Sequence, residues 1–229
     1  MVRHAVVTLF DVDNTLLDND RIVADMRGHL ARTVGDAQQR RYWELFEELR
    51  AELGYADYLG ALQRFRMEDP HRPQLLEVST FLVNYPFANR LFPASLDAVE
   101  HARAWGPVVI VSDGDVVFQP LKVHRSGLFE AVDGNVLIYI HKERELADVE
   151  ARYPAEHYVF VDDKPRLYAA IKTHWRERVT TVFPRQGHYA HDAAEVGKYQ
   201  PADATLERIG DLVVWDLPRL RAAAKSGAP

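Results

Sequence analysis

The sequence predicts a Rossmann-like doubly wound α/β fold, with a parallel sheet, helices on both faces and a helical insertion after the first strand. Three observations predict it. Short apolar runs rich in Val, Ile and Phe recur at 5–10, 108–111, 136–140, 158–161, 179–183 and 212–215, as expected of strands buried on both faces. Helical patterns separate the later runs, the alternation of a parallel sheet. Residues 16–92 break that alternation with amphipathic stretches and no confident strand.

The first strand runs directly into Asp11-Val12-Asp13-Asn14-Thr15. The stretch 36–53, DAQQRRYWELFEELRAEL, places Tyr42, Leu45, Phe46, Leu49 and Leu53 on one stripe, the spacing of an amphipathic helix. Residues 57–67 and 74–83 also read as helices, and Pro93 starts a helical stretch within 91–106 that leads into the second strand. Further on, the helix 116–125 has Pro120 early and Gly127 just past its end. Pro154 follows the helix 143–152, and Pro165 opens one in which Leu167, Ile171 and Trp175 repeat every four residues. The expected organisation is an α/β core of residues 1–15 and 93–229, interrupted by a helical segment at 16–92.

Composition narrows the function. The chain of 229 residues is 47% hydrophobic and 27% charged, enough to bury a core without covalent staples. Its net charge of -6 supplies no general basic field for nucleic acid or an anionic membrane. With no cysteine, disulfides, thiol catalysis and zinc-thiolate sites are excluded. The apolar run near the N-terminus spans only 5–10, too short for a signal-peptide core or a membrane span. The expectation is a soluble, unprocessed, cytoplasmic protein with a small-molecule substrate and no nucleic-acid or membrane partner.

Ligands of open parallel sheets bind beyond the carboxyl ends of the strands. Asp11 and Asp13 follow the first strand, and Ser112-Asp113-Gly114-Asp115 follow the second. His141 and Lys142 follow the third, and Asp162-Asp163-Lys164 the fourth. Acids, a hydroxyl and lysines thus recur at separate strand ends.

These residues resemble the signatures of the haloacid dehalogenase-like (HAD) hydrolase superfamily. FDVDNTL matches its D-x-D-x-T signature, Ser112 the second, Lys142 the third and the acids of VDD at 161–163 the fourth, in that chain order. The insertion at 16–92 resembles the superfamily's helical cap. The resemblance implies a phosphatase that forms an aspartyl-phosphate. Asp11 would be the nucleophile and Asp13 the acid and base, with Ser112 holding a phosphate oxygen and Lys142 neutralising charge. It also implies Mg2+, held by Asp11, the main-chain carbonyl of Asp13, and Asp163, with Asp162 binding directly or supporting from behind. Thr15 would support the turn. The expected substrate is a small phosphorylated metabolite.

Other readings fit less well. A calcium-binding EF-hand loop needs Gly and Glu where this loop has Leu16 and Ile22. A signalling receiver places its acidic pair first, whereas here the pair comes last. A dehalogenase lacks the second Asp. A phosphonatase uses a cap lysine, and residues 16–92 contain none. The alternatives that stay open are another activity of the same superfamily, a phosphomutase or a dehalogenase, and a catalytically silent binding protein on the same fold. Lys122 and Lys164 rival Lys142, but Lys122 falls within a helix and Lys164 adjoins the acids. His188 and His191 read as an ordinary loop, and Asp18 and Asp20 as helix caps or solvated side chains.

Overall fold

The computed structural model describes residues 3–226. Its core is one six-stranded parallel sheet in the order β3-β2-β1-β4-β5-β6. The strands are β1 (His4–Phe10), β2 (Val108–Asp113), β3 (Val136–Tyr139), β4 (Ala155–Val161), β5 (Val179–Pro184) and β6 (Ala204–Leu206). The order reverses direction at β1, whose neighbours are β2 and β4. That switch point is where an open α/β sheet leaves a crevice.

Side chains along β1 alternate between two cores. Val6 and Phe10 pack on one face, Val7 and Leu9 on the other. The first face is covered by α5 (Ser95–Arg103), α6 (Phe118–Arg125), α7 (Leu128–Ala131) and the C-terminal helix Leu217–Ser226. The second face is covered by α8 (Leu146–Arg152) and α9 (Tyr168–Trp175), where Trp175 stacks on Tyr158 with centroids 4.2 Å apart. Each such fully buried large side chain contributes about 1.5–3 kcal/mol.

Between β1 and β2 run α1 (Asn19–Val34), α2 (Asp36–Leu53), α3 (Tyr58–Glu68) and α4 (Leu75–Val83). Asp18 caps α1, its side chain accepting from the Arg21 N–H at 2.9 Å. The stripe on α2 buries Tyr42, Trp43, Leu45, Phe46 and Leu49 against α1 and α3. Left-handed Gly54 ends that helix. The chain leaves and re-enters the sheet side by side: the Asp18 N–H donates to Arg90 O at 2.7 Å and the Phe92 N–H to Leu16 O at 3.0 Å.

One expected strand is wrong. Residues 212–215 do not form a strand; Ile209–Val214 is a 3₁₀ helix that turns Ile209 and Leu212 inward and leaves Val214 exposed. The sixth strand is instead Ala204–Leu206, beside β5. A four-residue apolar run without periodicity does not distinguish the two. The expected third strand also stops at Tyr139, leaving Ile140 exposed. Among the described residues no helix is long and apolar enough to cross a membrane.

Candidate active site

The site is built on the carboxyl ends of β1, β2 and β4. The loop after β1 turns at Asn14, which takes a left-handed φ of 58°, a conformation Asn tolerates better than most residues. The Asn14 carboxamide holds the turn by accepting from the N–H groups of Asn19 at 3.0 Å and Asp20 at 3.2 Å. Thr15 is fully buried, and its hydroxyl accepts the Asp163 N–H at 3.1 Å. The loops after β1 and β4 are thereby joined.

Asp11 is buried at the centre. Lys142 Nζ lies 2.5 Å from Asp11 Oδ1 and 2.5 Å from Asp162 Oδ2. The Ser112 hydroxyl donates to Asp11 Oδ1 at a long 3.4 Å and itself accepts from Gln119 Nε2 at 2.9 Å. Asp113 Oδ1 accepts the Lys142 main-chain N–H at 2.7 Å, fixing the loop that delivers the lysine. Asp11, Ser112, Lys142 and Asp163, expected from separate strand ends, are brought to one end of the sheet.

The electrostatics follow from burial and pairing. Burial opposes ionisation of Asp11, but Lys142 and Lys164 outweigh it and hold its pKa below the ordinary value. Burial likewise opposes the charge on Lys142, yet Asp11 and Asp162 raise its affinity for a proton. Desolvation wins at Asp163, whose pKa is pushed well above the usual carboxylate range.

Asp11, Asp162 and Asp163 each offer a carboxylate oxygen, and these oxygens lie within 4.8 Å of one another. Both Asp163 oxygens and Asp11 Oδ2 are buried with no hydrogen-bond partner. Buried orphan acceptors are costly, and an all-oxygen set of acids suits a hard divalent cation such as Mg2+. Asp162 is more committed, since its Oδ1 accepts the Lys164 N–H at 2.9 Å and its Oδ2 faces Lys142.

The Asp13 side chain stands apart from this acid cluster. It faces a cavity of about 600 Å³ that reaches out to α1 and α2 and is also lined by Asn19, Trp43, Tyr58, Asp113 and Lys164. Its partner is Lys122, whose Nζ lies 2.6 Å from Asp13 Oδ1 and donates to Asn19 Oδ1 at 3.0 Å. In the sequence Lys122 falls within a helix, where a lysine usually faces water. The available signal was its face: α6 buries Phe118, Gln119, Lys122 and Val123, so this cation sits on the apolar side of an amphipathic helix. His188, on the short helix Gly187–His191, pairs with Asp20 at 2.6 Å.

No family model matches the chain, and no curated protein does. Solved structures do. A haloacid dehalogenase-like hydrolase from Burkholderia xenovorans LB400 is 60% identical, with a TM-score of 0.88 over 93% of this chain and 99% of that one. A HAD-type hydrolase from Bacillus subtilis, bound to magnesium, shares 16% identity and a TM-score of 0.56 over 92% and 97%. A 2-haloacid dehalogenase from Pseudomonas syringae pv. Tomato shares 15% identity and a TM-score of 0.59 over 96% and 98%. At those two lower identities the likeness is one of fold. The 60% identity extends over almost the whole of both chains, and the chain belongs to the haloacid dehalogenase-like hydrolase family.

Proposed function

We propose that the protein is a Mg2+-dependent phosphatase acting on a small phosphorylated metabolite, with α1–α4 serving as a cap over the site. One observation carries the choice of phosphoryl transfer over dehalogenation. A second carboxylate, Asp13, follows the buried Asp11 by two residues and faces the cavity with its side chain about one-quarter exposed. Halide leaves without a proton, whereas an alkoxide needs one, and Asp13 is the group able to supply it.

In this reading an Asp11 carboxylate oxygen attacks phosphorus. The P–O bond to the leaving group breaks, and Asp13 protonates the departing alkoxide. Asp13 then takes a proton from water as that water attacks the phosphorus of the acyl phosphate. The P–O bond to Asp11 breaks, which regenerates the carboxylate and releases phosphate. Ser112, steadied by Gln119, holds a phosphate oxygen. Lys142 keeps Asp11 ionised and offsets charge on the phosphoryl group. Asp11, the Asp13 carbonyl and Asp163 would hold the metal, which when bound neutralises charge on the transferring group.

Two supports stand beside the geometry: the orphan oxygens of Asp163 and Asp11, and the magnesium bound by the Bacillus subtilis relative of the same fold. The test gives the protein 4-nitrophenyl phosphate and, separately, a 2-haloacid, each with Mg2+ and with EDTA. Release of 4-nitrophenol with Mg2+ alone supports the proposal. Halide release with the phosphate ester inert refutes it.

A further inference from the structure

The wall of the cavity beyond Asp13 carries both acids and cations. Every acid on its wall is already engaged: Asp13 by Lys122, Asp20 by His188, Glu47 by Arg50, Asp113 by the Lys142 N–H and Glu195 by Lys198. Arg27, on α1, also lines the cavity and is exposed, yet among the described residues no acid pairs with it. Its guanidinium instead lies over the Trp43 ring, 4.3 Å from the centroid. Stacking of this kind restrains the group while leaving its in-plane N–H donors free for a planar anion.

Trp43 adds an independent observation. Its ring lines the same cavity and is 5% exposed, and its buried indole N–H has no acceptor. A buried donor left unmade costs stability that a bound acceptor would recover. Phe46 and Tyr58, stacked at 4.8 Å, continue the wall and form an apolar aromatic corner beside these two donors. A cavity of about 600 Å³ is large enough for a ligand body well beyond a phosphate group.

We infer that Arg27 and Trp43 form a second anion subsite, which receives a carboxylate or second phosphate at the non-reacting end of the substrate. The inference rests on the phosphatase reading and deepens it: the substrate class is a phosphate monoester with an apolar or planar body and a further anionic group. The body packs on Phe46 and Tyr58, and the anion accepts from the Arg27 guanidinium and the Trp43 N–H.

The test uses a matched pair, 4-(carboxymethyl)phenyl phosphate and its carboxamide, in which a methylene insulates the leaving group from the charge. The acid is expected to show a kcat/KM about tenfold higher than the amide, as one charge-assisted contact gives. Arg27→Leu should erase that preference, the leucine keeping apolar cover over the Trp43 ring on which the guanidinium lies. Replacing the carboxylate by a phosphonate distinguishes the two anions. Equal rates for acid and amide, or a preference that survives in Arg27→Leu, overturn the subsite. Binding of the same pair to Asp11→Asn protein, with and without Arg27→Leu, reads the subsite without turnover. If the parent hydrolyses neither compound but Asp11→Asn binds the acid more tightly through Arg27, the phosphatase reading fails and the subsite stands. If Asp11→Asn binds acid and amide equally, the subsite fails.

Discussion

Lys122 Nζ lies 2.6 Å from Asp13 Oδ1, and the lysine side chain is almost wholly buried while the aspartate is about one-quarter exposed. The cation therefore anchors from inside a carboxylate that lines the cavity. Asn19 accepts from the same ammonium at 3.0 Å, so β1's loop, α1 and α6 meet at one charge. Lys122→Met should lower kcat for an aryl phosphate by about 10- to 100-fold, since catalytic groups displaced by about 1 Å lose that much. KM should change far less. Steady-state kinetics on the folded variant check this, and an unchanged kcat would show that Asp13 needs no anchor.

The buried group of Asp11, Lys142 and Asp162 predicts a stability effect. Removing one member of a buried ion pair leaves uncompensated charge and costs about 3–5 kcal/mol. Lys142→Met removes the one ammonium that contacts both acids in metal-free protein. Its midpoint of urea unfolding should fall accordingly, with an unchanged m-value. Mg2+ should restore part of the loss by supplying positive charge at the same acids.

Metal binding should itself be visible as stability. A ligand present at about 100 times its dissociation constant stabilises by about 2.7 kcal/mol. Mg2+ should raise the melting temperature of the parent, and Asp163→Asn should remove most of that rise. The sign with pH follows from Asp163. Burial lifts its pKa well above the ordinary range, so protons compete with the cation for this carboxylate more strongly than for an ordinary aspartate. The Mg2+-induced shift should therefore shrink as pH falls. A rise of equal size in Asp163→Asn would remove Asp163 from the metal site.

His157 offers a pH test remote from chemistry. Burial, reinforced by Arg221, depresses its pKa from 6.5 to about 4, and its Nε2 lies 2.9 Å from the Thr180 hydroxyl. The unfolded chain then binds more protons than the native one between those values. The stability His157 contributes is present above pH 6.5 and is lost as pH falls toward 4. His157→Gln should flatten that part of the stability profile, measured by urea unfolding across the window.

Much of this molecule could be read in its sequence because its strands end in polar residues. A parallel sheet sends its carboxyl ends to one side, so Asp11, Ser112 and Asp163 were predictable neighbours from three apolar runs alone. The α2 stripe was legible for a similar reason, being five residues at one helical spacing. The failures are also physical. Ala204–Leu206 is three residues long, too short to carry a pattern, and the apolar run at 212–215 belongs to a 3₁₀ helix. Lys122 was missed because a lysine within a helix normally points to water, and only its position on the buried face of α6 marks it. Arg27 and Trp43 lie 16 residues apart on different helices, and their contact exists only once α1 and α2 pack.

In the proposed phosphatase reaction Asp11 carries the phosphoryl group. Acid quenching of the Mg2+-loaded protein during turnover of 4-nitrophenyl phosphate, followed by peptide mass mapping, tests it most directly. A phosphoryl adduct is expected on the peptide containing Asp11, and neither adduct nor turnover in Asp11→Asn. Turnover by Asp11→Asn at the parent's rate would contradict it.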